Sequence, residues 1–184
     1  MALAITGTGN GSLNNLALSA NTGIIVDTAR AGGIIQVVEA TSTTEVDNTS
    51  TSYVDSGLSA SITPTSSSNK ILVFVTMQTR YARSAGAGGG GFKILRDSTA
   101  IFLPVSNSTV GPFQEYSSIS GATNIVMYQS VPIILLDSPA STSTLTYKVQ
   151  HRIYENTSGG VMTVNFLSSG DLAKSYIQLL EVVA

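Results

Sequence analysis

Lys70-Ile71-Leu72-Val73-Phe74-Val75-Thr76-Met77-Gln78-Thr79-Arg80 is the stretch that decides the fold class. Successive side chains of an extended strand point to opposite faces, so Ile71, Val73, Val75 and Met77 share one face and Leu72 and Phe74 the other. A strand that is apolar on both faces belongs in the middle of a sheet with a second layer packed on it.

Working outward, the same kind of short apolar run recurs between turn residues. Ile34-Ile35-Gln36-Val37-Val38-Glu39-Ala40 enters a Thr-rich stretch; Ser52-Tyr53-Val54-Asp55 and Leu58-Ser59-Ala60-Ser61-Ile62 flank Gly57, and Pro64 closes the segment. Further on, Phe92-Lys93-Ile94-Leu95-Arg96 turns at Asp97-Ser98 into Thr99-Ala100-Ile101-Phe102, a hairpin pattern. Residues 124–136 read as a strand bent or interrupted at Pro132. Residues 145–154 alternate, with Tyr147, Val149, His151 and Ile153 set against Lys148, Gln150, Arg152 and Tyr154. Residues 161–167 and 176–183 complete the set. No long segment carries a 3.6-residue period, and no internal repeat is visible. The expectation is an all-β chain: an antiparallel β-sandwich, jelly-roll-like, over residues 34–184, preceded by an extended N-terminal arm, residues 1–33.

Composition narrows the chemistry. The 184 residues include no Cys, no Trp and one His, and only 11% are charged. Metal sites and nucleophile–base pairs need several such groups converging, so the expectation is no enzyme, no metal and no cofactor. A formal charge of −2 offers no basic stripe for phosphate neutralisation, which argues against nucleic-acid binding. No stretch reaches the ~18 consecutive apolar residues of a membrane span, and the start of the chain lacks the basic and apolar regions of a signal peptide. Low charge with a mean hydropathy of +0.25 is unusual for a solitary monomer, and points to permanent association.

Three features invite chemistry and are better explained without it. Gly86-Ala87-Gly88-Gly89-Gly90-Gly91 matches a dinucleotide-binding glycine pattern, but a strand follows it where that motif needs a helix. It reads as a flexible hairpin tip, and its neighbours Arg80, Tyr81 and Arg83 are candidates for receptor contact. His151 lies on an apolar strand face and reads as a core or interface histidine. Asp47, Asp55, Asp97 and Asp137 all fall beside turn residues, where strand-end hydrogen bonding accounts for them.

Residues 1–33 differ from the rest. They are rich in Gly, Asn and Ala and carry spaced apolar side chains: Leu3, Ile5, Leu13, Leu16, Leu18, Ile24, Ile25 and Val26. Gly7-Thr8-Gly9-Asn10-Gly11 cannot hold a helix, since each Gly costs about 1 kcal/mol against Ala. A frayed tail is one reading. The other is an arm whose apolar residues anchor on a partner or a sister subunit.

Several stretches also carry a resemblance. Met1-Ala2-Leu3-Ala4-Ile5-Thr6-Gly7-Thr8-Gly9, the run from Gly33 to Ala40, and Ser52 to Pro64 followed by Ser68 to Val73 are among them. So are Leu95-Arg96-Asp97-Ser98-Thr99-Ala100-Ile101, and Leu136-Asp137-Ser138-Pro139 leading to Thr146-Tyr147-Lys148-Val149-Gln150. In order, they resemble tailed-phage fibre and virion-surface proteins, especially of phages from marine and freshwater bacteria. The resemblance implies a homotrimeric, non-enzymatic structural module on the virion surface, assembled in the host cytoplasm. Its implied partners are itself and other virion proteins of the capsid or tail. Long tail fibres carry a large attachment domain that is not seen before this sandwich. A capsid decoration (cement) protein or a short fibre, attached through the arm, is therefore the expectation. A tail-fibre adhesin recognising host-surface carbohydrate is the alternative.

Overall fold

The computed structural model describes residues 31–103, 115–118, 124–154, 159–166 and 173–184. In chain order its strands are β1 (Ile34–Ser42), β2 (Val46–Asn48), β3 (Val54–Ile62), β4 (Lys70–Arg83), β5 (Ala87–Arg96), β6 (Thr99–Phe102), β7 (Glu115–Ser118), β8 (Ile125–Asp137), β9 (Leu145–Ile153), β10 (Val161–Val164) and β11 (Ser175–Val182). They form two antiparallel sheets, one of six strands and one of five, and the fold is an all-β sandwich.

The 14-residue β4 is the axis of the six-stranded sheet. On one side β8 runs the length of it, from Ile71 opposite Asp137 to Arg83 opposite Ile125. On the other side β11 and β10 lie end to end, and β1 and β2 continue outward beside them. The five-stranded sheet runs β3-β9-β5, with β6 and β7 sharing the far side of β5. The chain changes sheet at β2–β3, β3–β4, β4–β5, β7–β8, β8–β9 and β9–β10.

Alternation fills the space between the sheets. From β4 come Ile71, Val73, Val75, Met77 and Tyr81; from β11, Ile177 and Leu179. The opposite sheet supplies Leu58 and Ile62 from β3, Phe92 and Ile94 from β5, and Tyr147, Val149 and Ile153 from β9. Each such side chain contributes about 1.5–3 kcal/mol of burial before entropy is subtracted. Asn165, where β10 ends, seals the break before β11. Its side chain donates to Thr44 O at 2.9 Å and accepts from Ser175 Oγ at 2.6 Å.

The structure corrects several local readings. Val54-Asp55 and residues 58–62 belong to one strand, bulged at Gly57, whose φ of +77° is a left-handed value that favours glycine. β8 passes through Pro132 without a break. Among the described residues β8 pairs only with β4, and an edge strand tolerates the missing N–H. Of the described residues 161–166, the strand takes in Val161–Val164. The glycine run is no flexible tip: β5 takes in Ala87 to Gly91, and Gly88 to Gly91 are buried. A Cβ on Gly88 would collide with the Tyr81 hydroxyl, and one on Gly90 with Met162 Sδ. The bare backbone lets the two sheets approach where Tyr81 fills the gap.

Candidate functional site

The two outer faces of the sandwich differ in chemistry, and the difference marks the candidate site. On the six-stranded sheet the outward side chains line up in rows across β1, β11, β4 and β8. Val37, Leu180, Leu72 and Leu136 form one continuous row. The next row is Glu39, Gln178, Phe74 and Ile134, and the third is Thr41, Tyr176, Thr76 and Pro132. Val37 is 61% exposed, Ile134 62% and Leu136 52%, and Ile34 and Ile35 are also exposed beside them. This exposed apolar row is the candidate interaction surface, since burying it would be favourable.

The patch sits at the end of the sheet where the described chain begins. The ladder extends past Ile34, with Gly32 N donating to Val183 O at 2.8 Å and Val183 N to Gly33 O at 2.9 Å. On the inner side of this end, buried Glu181 accepts from Thr65 N, Thr65 Oγ1 and Asn69 Nδ2 at 2.7–2.8 Å through one carboxylate oxygen. Burial pushes its pKa up, but these hydrogen bonds outweigh it and hold the group below the usual carboxylate range. The clasp ties the β3–β4 connection to β11 under the patch.

At the opposite end of β4 the outer face turns polar. Arg80 faces Tyr128 across β4 and β8, and its guanidinium lies over the Phe166 ring at 4.6 Å. Tyr128 and Phe166 meet with ring centroids 5.7 Å apart. With Gln78, Thr79, Gln129, Ser130 and Ala173 they line an open cleft of about 250 Å³. Tyr128 is 64% exposed, so one aromatic face is presented to solvent.

The outer face of the five-stranded sheet carries Asp55, Gln150 and Lys93 in one row, with Ser59 beside Lys148 and Ser61 beside Thr146. Lys148 Nζ lies 3.1 Å from Asp55 Oδ2, and Gln150 also donates to Asp55. Lys93 and Arg152 both stack on the Tyr53 ring, at 4.5 and 4.9 Å. Sequence spacing did not bring these six groups together, because they come from β5, β9, β3 and the residue just before it.

Of the candidate receptor residues, only Arg80 faces outward. Tyr81 and Arg83 are buried. Counting in steps of two from Ile71 reaches both of them, so the strand's own parity puts them inside, and they form no exposed contact surface. Arg83 Nη1 instead donates to Ala85 O at 2.7 Å. The arm residues Leu3, Ile5, Leu13, Leu16, Leu18, Ile24, Ile25 and Val26 lie outside the described residues.

His151 is fully buried between the sheets, its ring 6.5 Å from that of Phe92. Burial lowers its pKa to about 4, against the opposing pull of the Met162 and Val46 backbone and of Asp47. Asp137 bridges the sheets, accepting from Arg96 Nη1 at 2.6 Å and from the Tyr147 hydroxyl at 2.7 Å. Asp97 accepts from Thr146 N at 2.9 Å, and Asp47 from the Thr163 hydroxyl. Among the described residues no three acidic or histidine side chains gather as a metal site. No helix there is long and apolar enough to cross a membrane. The chain matches no protein-family model and no curated protein.

Proposed function

We propose that this chain is a structural protein of a phage virion rather than an enzyme. In this reading it is a homotrimeric β-sandwich on the particle surface, a capsid decoration protein or short fibre, attached through residues 1–33. The observation that carries the assembly part of this reading is the apolar outer face of the six-stranded sheet, centred on Val37, Leu72, Ile134 and Leu136. Few charges and positive mean hydropathy support it, and the phage assignment rests on the sequence resemblance. Light scattering of the purified chain tests it. A particle of three times 19.1 kDa is the expected result, and a monomer at all concentrations, with no uptake onto phage particles, overturns it.

A second reading, a carbohydrate-binding adhesin, is favoured by the Tyr128 cleft. An exposed ring flanked by amides, a hydroxyl and a guanidinium suits the apolar face and hydroxyl rim of a sugar. Here Tyr128 takes the place that sequence had given to Tyr81. A glycan array that shows binding by the native chain and none by Tyr128→Ala supports this reading, and an array with no binding removes it.

A further inference from the structure

The apolar end of the six-stranded sheet requires an occupant, and the chain carries one. We infer that Leu13, Leu16 and Leu18 of a second copy seat on the patch formed by Val37, Leu72, Phe74, Ile134, Leu136 and Leu180. The inference rests on the assembly reading above and adds to it the identity and the address of the contact.

Three observations carry it. First, the chain enters the sandwich at this patch. Gly32 and Gly33 hydrogen bond with Val183 at the root of β1, within a few residues of exposed Ile34, Ile35 and Val37. In a closed ring of identical copies, each arm leaves from the same end of the subunit that has to receive a neighbour's. Second, the length suits a neighbour. The 13 residues between Leu18 and Gly32 reach roughly 45 Å when extended, whereas a face four strands across is only about 15–20 Å wide. The spare length bridges to the next copy before Leu13–Leu18 is laid down. Third, the chemistry matches. Residues 1–26 carry no charged side chain, and among the outward groups of the first two rows Glu39 is the one charge. It accepts from Gln178 Nε2 at 2.6 Å and lies on β1, to one side of Leu72, Phe74, Ile134 and Leu136.

Because the chain has no Cys, engineered cysteines report the contact without background. Two differently tagged copies, one Leu16→Cys and one Ile134→Cys, are co-expressed and oxidised, with Leu16→Cys plus Ser61→Cys as the control on the other face. The expected result is a disulfide joining the two tags in the first pair and none in the control. Full-length Ile134→Asp, checked for retained β structure by circular dichroism, should assemble on the order of tenfold less tightly than the native chain. A Leu16→Cys/Ile134→Cys chain that cross-links only within itself overturns the exchange between copies. An Ile134→Cys chain that cross-links only to its own kind shows face-to-face packing and overturns it too. Absence of the cross-link in a protein that light scattering shows to be trimeric overturns the seat but leaves the assembly reading standing. A monomer that does not assemble overturns both.

Discussion

The outer faces of the two sheets obey the same alternation and present opposite surfaces. Across β3, β9 and β5 the outward positions are Asp55, Gln150 and Lys93, with Ser, Thr and Lys around them. Across β1, β11, β4 and β8 they are Val37, Leu180, Leu72 and Leu136. The inner faces of both sheets are alike, because both must fill one core. Folding explains the inner faces and the polar outer face, but it does not explain an apolar outer face whose side chains the described residues leave exposed. That asymmetry is the argument for a partner.

The strongest way to break the comparison is to make the two outer faces alike. Ile134→Asp with Leu136→Asp should abolish assembly, read as a fall in mass by light scattering, while circular dichroism still shows β structure. The matched pair Ser59→Asp and Ser61→Asp on the other sheet should leave the mass unchanged. Equal effects from both pairs would remove the distinction between the faces.

The inner faces are tested by pH. His151 has a folded pKa near 4 against an ordinary value of 6.5, so the unfolded chain takes up the proton first. Stability should therefore fall as pH drops from about 6.5 towards 4, by on the order of 3 kcal/mol for this group alone. His151→Leu should flatten that part of the stability curve in chemical denaturation. Glu181, whose pKa is depressed, adds a further loss at lower pH, so the variant should still be acid-labile below the ordinary carboxylate range.

Spacing between the sheets is tested by Gly90→Ala. The added methyl meets Met162 Sδ and approaches Arg152 O at 3.0 Å. A cost of about 1–3 kcal/mol is expected, seen as a lower melting temperature. The smallest effect belongs to the polar outer face. Lys148→Ala removes an exposed ion pair with Asp55 and should cost less than about 1 kcal/mol in denaturant unfolding.

Much of the fold was legible because alternation is a local signal. The inward set Ile71, Val73, Val75 and Met77 reads directly from β4, and the β5–β6 hairpin from Asp97-Ser98, where Asp97 takes a φ of +54°. Val46–Asn48 and Glu115–Ser118 escaped notice, being three and four residues long with little pattern of their own. The glycine run was misread for a physical reason: glycine alone has no preference for a strand. Tyr81 and Met162, reaching across from the other sheet, make its lack of side chains necessary.

The candidate surface divides the same way. By itself the sequence determined that the chain is built of strands, that Leu72 and Phe74 face away from Ile71 and Val73, and that few charges keep copies apart. Period-two geometry and composition suffice for that much. Only the tertiary structure decided which strands lie side by side, because register is set by pairings between residues as distant as Val37 and Leu180. That register turns scattered Leu, Val and Ile into one row at one end of one sheet, and it sets Tyr128 beside Arg80 in the open.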